Sequence, residues 1–160
     1  MSKKVSVLFV CLGNICRSPT AHGIFRNMVR EAGLEAEIEI DSAGTAAFHI
    51  GKSPDERSTL VAKQRGIEMA DLRARQVDLG DFYQYDYVLA MDESNYANLK
   101  DIALPEHYDR LQMFLNYTSE FPETEVPDPY YGGAKGFDHV FDLVSSASEG
   151  LLKHIKKNHL

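Results

Sequence analysis

The sequence predicts an α/β protein built in three layers, with helices on both faces of a parallel sheet. Short apolar runs alternate along the chain with amphipathic stretches of helical period, and the first run is β-branched and apolar on both alternations, as a strand covered on both faces must be. With 160 residues the chain is long enough for such a core. Roughly 68 to 70% of the unfolded surface is buried at this size, so no metal or disulfide staple is required.

Residues 5–10 read as the central strand. Residues 19–32 follow as the first crossover helix, with Ala21, Ile24, Phe25, Met28, Val29 and Ala32 at helical spacing. Ser18 is placed to cap it, Pro19 takes the first helical position and Gly33 is placed to stop it. Residues 37–41 alternate charge with Ile38 and Ile40, as in a more exposed strand at the sheet edge, and residues 43–52 read as a loop. Ser53-Pro54-Asp55-Glu56 has the form of a capping box with proline at the first helical position, opening a helix that carries Leu60 and Val61 and stops at Gly66. Residues 87–91 form the next strand, residues 93–102 a helix capped by Asp92, and residues 111–115 a fourth strand. Residues 116–136 are rich in Pro, Gly and acidic side chains without a sustained period, and a loop of that length in a compact domain is usually functional. Phe137, Val140, Phe141, Val144, Ala147, Leu151, Leu152 and Ile155 mark a long closing helix. The whole, residues 1–160, reads as one domain without repeats or linkers.

Composition narrows the function classes. Hydrophobic residues at 44% and charged ones at 26% exclude a disordered or collagen-like chain. A net charge of -7 disfavours nucleic acid and anionic membrane as partners. The apolar start is broken by Gly13-Asn14 without a cleavage site, so it reads as a buried strand rather than a signal peptide. The expected compartment is the cytoplasm, where the two cysteines stay reduced.

In an open α/β sheet the ligand site lies at the carboxyl ends of the strands, which singles out the loop of residues 11–18, Cys11-Leu12-Gly13-Asn14-Ile15-Cys16-Arg17-Ser18. If this loop curls, its backbone N–H groups converge on one centre and the helix dipole adds positive potential there, making an oxyanion cradle. Leu12, Gly13, Ile15 and Cys16 would then bind through their backbone. Arg17 can grip two phosphate oxygens with its planar fork. Cys11 lies at the floor of the same positive field, which favours its thiolate, a nucleophile beneath a bound phosphate. Gly13 and Asn14 tolerate the tight, left-handed backbone such a loop needs. The six histidines have no spacing with carboxylates or cysteines that builds a metal site, and no cofactor is expected.

The segment V-C-L-G-N-I-C-R-S-P-T-A resembles the phosphate loop of the low-molecular-weight protein tyrosine phosphatases, and Asp128-Pro129-Tyr130-Tyr131-Gly132-Gly133 resembles their general-acid loop. Asp41-Ser42-Ala43-Gly44, Ser53-Pro54-Asp55, Ala74-Arg75-Gln76 and Met91-Asp92-Glu93-Ser94-Asn95 extend the resemblance over essentially the whole chain. It implies a doubly wound, four-stranded parallel sheet with the phosphate-binding loop after the first strand. It further implies hydrolysis of aryl phosphates through a phosphocysteine intermediate, without metal. By the same resemblance Cys11 is the nucleophile, Arg17 the phosphate clamp and Asp128 the proton donor, while Ser18 helps the thiolate leave. Asn14 would brace the loop with Ser42 as its partner, and Asp92 would orient Arg17. On residue type alone Ser18 and Asp92 are helix caps and an Asp before Pro is a turn former. Tyr130, Tyr131 and Phe48 would wall the slot for a substrate ring. The family often places a histidine near residue 72 to brace the loop, where this chain has Leu72. Cys16 reads either as a thiol that traps oxidised Cys11 in a disulfide or as a buried filler.

The implied partners are a tyrosine-phosphorylated protein as substrate and inorganic phosphate or another oxyanion as product or inhibitor. A thiol-coupled arsenate reductase shares such a cradle but needs further cysteines downstream, whereas both cysteines here lie in the loop. A phosphotyrosine-binding module without turnover needs neither a nucleophile nor an acid, yet Cys11, Arg17, Ser18 and Asp128 are all present.

Overall fold

The computed structural model describes residues 4–129 and 134–160. Four parallel strands, β1 (Val5–Cys11), β2 (Ile38–Gly44), β3 (Tyr87–Ala90) and β4 (Leu111–Met113), form one sheet in the order β2-β1-β3-β4. The strand read as central is an inner strand, and the one read as the edge is an edge. Because β1 is followed in sequence by β2 on one side and paired with β3 on the other, the chain reverses direction across the sheet at its carboxyl end. Such a switch point leaves a crevice there.

Side-chain alternation along β1 divides the core. Val5, Val7, Phe9 and Cys11 belong to one apolar cluster with Ile24 and Phe25 of α1 (Arg17–Glu31), Ala62 of α2 (Glu56–Gln64) and Leu143 and Leu151 of α5 (Ala134–His159). Leu8 and Val10 join the opposite cluster with Phe82 of α3 (Leu79–Gln84) and Leu99 of α4 (Glu93–Ile102). Phe9 is fully buried and meets Phe25 and Phe114 edge to face, with ring centroids at 5.7 and 5.0 Å. Truncating it to alanine would cost about 3–5 kcal/mol, so the strand carrying Cys11 is firmly anchored.

Several boundaries differ from the sequence reading. The first helix begins at Arg17 with Cys16 at the cap position and no side-chain cap, so Ser18 lies inside the helix and its hydroxyl is spent elsewhere. Asp55, not Ser53, caps α2, accepting from the N–H groups of Arg57 and Ser58. β2 runs three residues beyond Asp41, to Gly44, and its end packs against the loop of residues 11–18. A β-carbon on Gly44 would stand 2.7 Å from the Leu12 carbonyl oxygen. α3 has no counterpart in the sequence reading. Its six residues are held by the reciprocal capping of Asp78 and Asp81. The cap of α4 by Asp92 and the stop of α1 at Gly33, with φ 71°, are as read.

Candidate active site

The loop between β1 and α1 turns its carbonyls outward. The Cys11 and Leu12 carbonyls accept from Thr45 and Ala46 at 2.9 Å, Ile15 accepts from Asp55 at 2.8 Å, and Cys16 accepts from the Thr20 hydroxyl at 2.7 Å. Among the described residues nothing accepts from the N–H of Gly13 or Ile15, and these donors remain for a ligand. Asn14 takes the left-handed conformation, φ 56°, and its N–H reaches Cys11 Sγ at 3.3 Å. The Ser18 hydroxyl lies 3.0 Å from the same sulfur and accepts a bond from Asn14 Nδ2 at 2.8 Å. Asn14 and Ser18 therefore converge on Cys11, whose side chain is almost wholly buried.

Arg17 is held from behind. Its Nη1 donates to Asp92 Oδ2 at 2.6 Å and to the Val126 carbonyl at 3.1 Å, while no described residue accepts from Nε or Nη2. Burial works against its charge, but Cys11, the bond and charge of Asp92, and more weakly Asp128 outweigh it and raise the guanidinium above its ordinary pKa. The other oxygen of Asp92, Oδ1, accepts from Asn95 N–H at 2.7 Å as the α4 cap. Glu125 closes the same helix end by accepting from Glu93 N–H at 2.8 Å, and Glu123 pairs with His139.

Cys11, Arg17 and Asp128 line one small cavity of about 80 Å³, together with Leu12, Gly13, Ile15 and Cys16 of the loop and the exposed Phe48 at its rim. Backbone donors, a fixed cation, a sulfur and a carboxylate facing one such space are the groups an anion site with a nucleophile needs.

The sequence matches the family described as "Low molecular weight phosphotyrosine protein phosphatase" over residues 6–160. The chain belongs to this family. It is 44% identical over 156 residues to the low molecular weight phosphotyrosine protein phosphatase of Schizosaccharomyces pombe, covering 97% of this chain and 99% of that one. The crystal structure of YfkJ from Bacillus subtilis superposes with a TM-score of 0.94 at 40% identity, covering 99% of each chain. That of a protein tyrosine phosphatase from Entamoeba histolytica, with Hepes in its active site, gives 0.93 at 38% identity, covering 98% of this chain and 100% of that chain. The doubly wound, four-stranded fold is thus that of the low molecular weight phosphatases.

Within this family member two readings of the brace around Asn14 change. Ser42 does not bond Asn14; its hydroxyl meets Nδ1 of His22 on α1 at 2.9 Å. Asn14 Oδ1 instead accepts the backbone N–H of Arg75 at 3.0 Å, which answers what Leu72, packed in the core, leaves open. Burial of His22 holds its pKa down at about 4, so the imidazole is neutral beside Ser42 at neutral pH. His49 lines the cavity and packs on Gly13, yet as one of six histidines without a distinguishing spacing it gave no signal in the sequence. Tyr130 and Tyr131 lie outside the described residues. Cys11 and Cys16 are both buried, and neither is in a disulfide.

Proposed function

We propose that the chain hydrolyses phosphotyrosine in protein substrates through a phosphocysteine intermediate, with Cys11 as nucleophile, Arg17 as clamp and Asp128 as general acid and base. The carrying observation is the convergence of Cys11, Arg17 and Asp128 on one cavity. In the first step the Cys11 sulfur attacks phosphorus, the P–O bond to the phenol breaks, and Asp128 gives its proton to the leaving oxygen. In the second, water attacks phosphorus and passes a proton to Asp128. The S–P bond breaks with its electron pair returning to sulfur, where the Ser18 hydroxyl and Asn14 N–H receive the charge, and inorganic phosphate is released. Nε and Nη2 of Arg17 and the loop donors hold the equatorial oxygens throughout.

A nucleophile at the floor of so small a cavity favours a long, flat leaving group, which supports phosphotyrosine over phosphoserine. Residues 1–160 act as one domain on this reading, and the family match over residues 6–160 supports it. Among the described residues no helix is long and apolar enough to cross a membrane. Two cysteines outside any disulfide support a cytoplasmic setting.

Cys11→Ser tests the proposal. The variant is expected to lose turnover of an aryl phosphate while still binding phosphate or vanadate, because the backbone donors and Arg17 survive. Turnover at the wild-type rate would remove Cys11 from the mechanism, and loss of oxyanion binding would remove the cradle.

A further inference from the structure

Asn14 is the only described residue other than glycine with positive φ, and that conformation is what aims its N–H at the Cys11 sulfur. Its bond to Ser18 reaches only the first turn of the adjoining helix, whereas its bond from the Arg75 N–H ties it to a distant part of the chain. The segment around Arg75 is itself laid along the end of β2. Gly44 N–H donates to the Arg75 carbonyl, and Val77 N–H donates to the Gly44 carbonyl, each at 2.8 Å.

The Arg75 side chain adds a second set of ties to this segment. Its Nε donates to Asp41 Oδ2, and Nη1 and Nη2 form a two-pronged pair with Asp81, all three at 3.0 Å. Asp81 is 5% exposed and is locked by the α3 cap, where it also accepts from Asp78 N–H at 2.9 Å. Asp41 is locked through its other oxygen by Ser42 N–H at 2.8 Å. Burial opposes the Arg75 charge, and the two carboxylates more than offset it and raise its pKa.

We propose that Arg75 is a positioning residue for the nucleophile: gripped by Asp41 and Asp81, it holds its own backbone N–H where Asn14 needs an anchor, and so keeps the Asn14 N–H on Cys11. The kinetic part of this inference rests on the phosphatase reading above; the sulfur chemistry does not. The charged and titratable groups around Cys11 are Arg17, Cys16, His49, Asp92 and Asp128, whereas the Arg75 side chain bonds Asp41 and Asp81. Arg75 meets the loop directly at Asn14 and at one remove through Gly44, and the Asn14 tie is the one that ends on the sulfur.

The experiment measures alkylation of Cys11 by iodoacetamide at pH 6 and pH 9, followed on the Cys11 peptide by mass spectrometry, with kcat and KM on an aryl phosphate measured in parallel. Arg75→Ala and Asp81→Asn in the full chain are expected to slow alkylation at pH 6 by about fivefold or more, where stabilisation of the thiolate decides the rate, with rates at pH 9 within about twofold of wild type. Both should lower kcat more than they raise KM, and Arg75→Lys should recover part of each loss. Tyr83→Ala, on α3 but packed on His107 and bonded to neither Asp81 nor Arg75, should leave alkylation unchanged. Wild-type alkylation at pH 6 in folded Arg75→Ala and Asp81→Asn overturns the proposal, as does equal slowing in Tyr83→Ala. If Arg75→Ala fails to fold, Asp81→Asn decides alone. Slowed alkylation in a protein without phosphatase turnover would uphold the role of Arg75 while refuting the reaction.

Discussion

Replacing Asp92 separates two roles that one carboxylate performs. Its Oδ2 receives Arg17 at 2.6 Å, and the two side chains are 5% and 20% exposed, so the pair is mostly out of water. Breaking a fully buried pair costs about 3–5 kcal/mol. Here Asp92 keeps some contact with solvent and Arg17 keeps the Val126 carbonyl, so Asp92→Asn should cost about 2 kcal/mol. Asparagine still caps α4, whereas Asp92→Ala loses that bond too and should cost about 1 kcal/mol more. For a chain of this length the two variants should melt about 4–8 °C and about 6–12 °C below wild type. Thermal unfolding with parallel urea titrations measures both. Asp92→Asn should also lower kcat by about ten- to a hundredfold, because Arg17 loses the partner that orients it. A melting temperature within about 1 °C of wild type for Asp92→Asn would refute the energetic role of the pair, and identical losses in the two variants would refute the cap.

Asp128→Asn should slow the burst phase with basic phenols by about two to four powers of ten and with activated phenols much less; an equal loss on both series would show that Asp128 is not the proton donor. For His22 the folded pKa of about 4 lies below the ordinary 6.5, so between these values the unfolded chain binds more protons. The stability this group contributes is complete above about pH 6.5 and is lost as pH falls through about 4, a difference of about 3 kcal/mol. His22→Gln should flatten that part of the stability profile in urea titrations at pH 7 and pH 4, and an unchanged slope would show that His22 does not supply it.

Much of the site was legible because it is local. Cys11, Asn14, Arg17 and Ser18 sit within eight consecutive residues, and strand, loop and helix are each announced by apolar run, Gly-Asn and helical period. The Asp92 cap was legible for the same reason, since a cap precedes its own helix. Ser18 was misplaced because Cys16, a poor capping residue, starts the helix when the loop above it is already fixed by its own bonds. The pairings of His22 with Ser42 and of Arg75 with Asn14 span 20 and 61 positions and exist only once β2 is laid beside β1. No periodicity encodes them. α3 escaped because six residues complete fewer than two turns and show no repeat.

The ties on Arg17 set the entropy cost of meeting a ligand. An arginine side chain carries about 2 kcal/mol of rotamer entropy, which a mobile clamp would lose at every binding event. With Nη1 already fastened to Asp92 and Val126, that ordering is completed once, when the chain folds, and the remaining nitrogens wait in place. On the proposed mechanism the cradle is therefore preorganised: an arriving phosphoryl group has no arginine to recruit, and the free energy of its contacts remains available for the transition state.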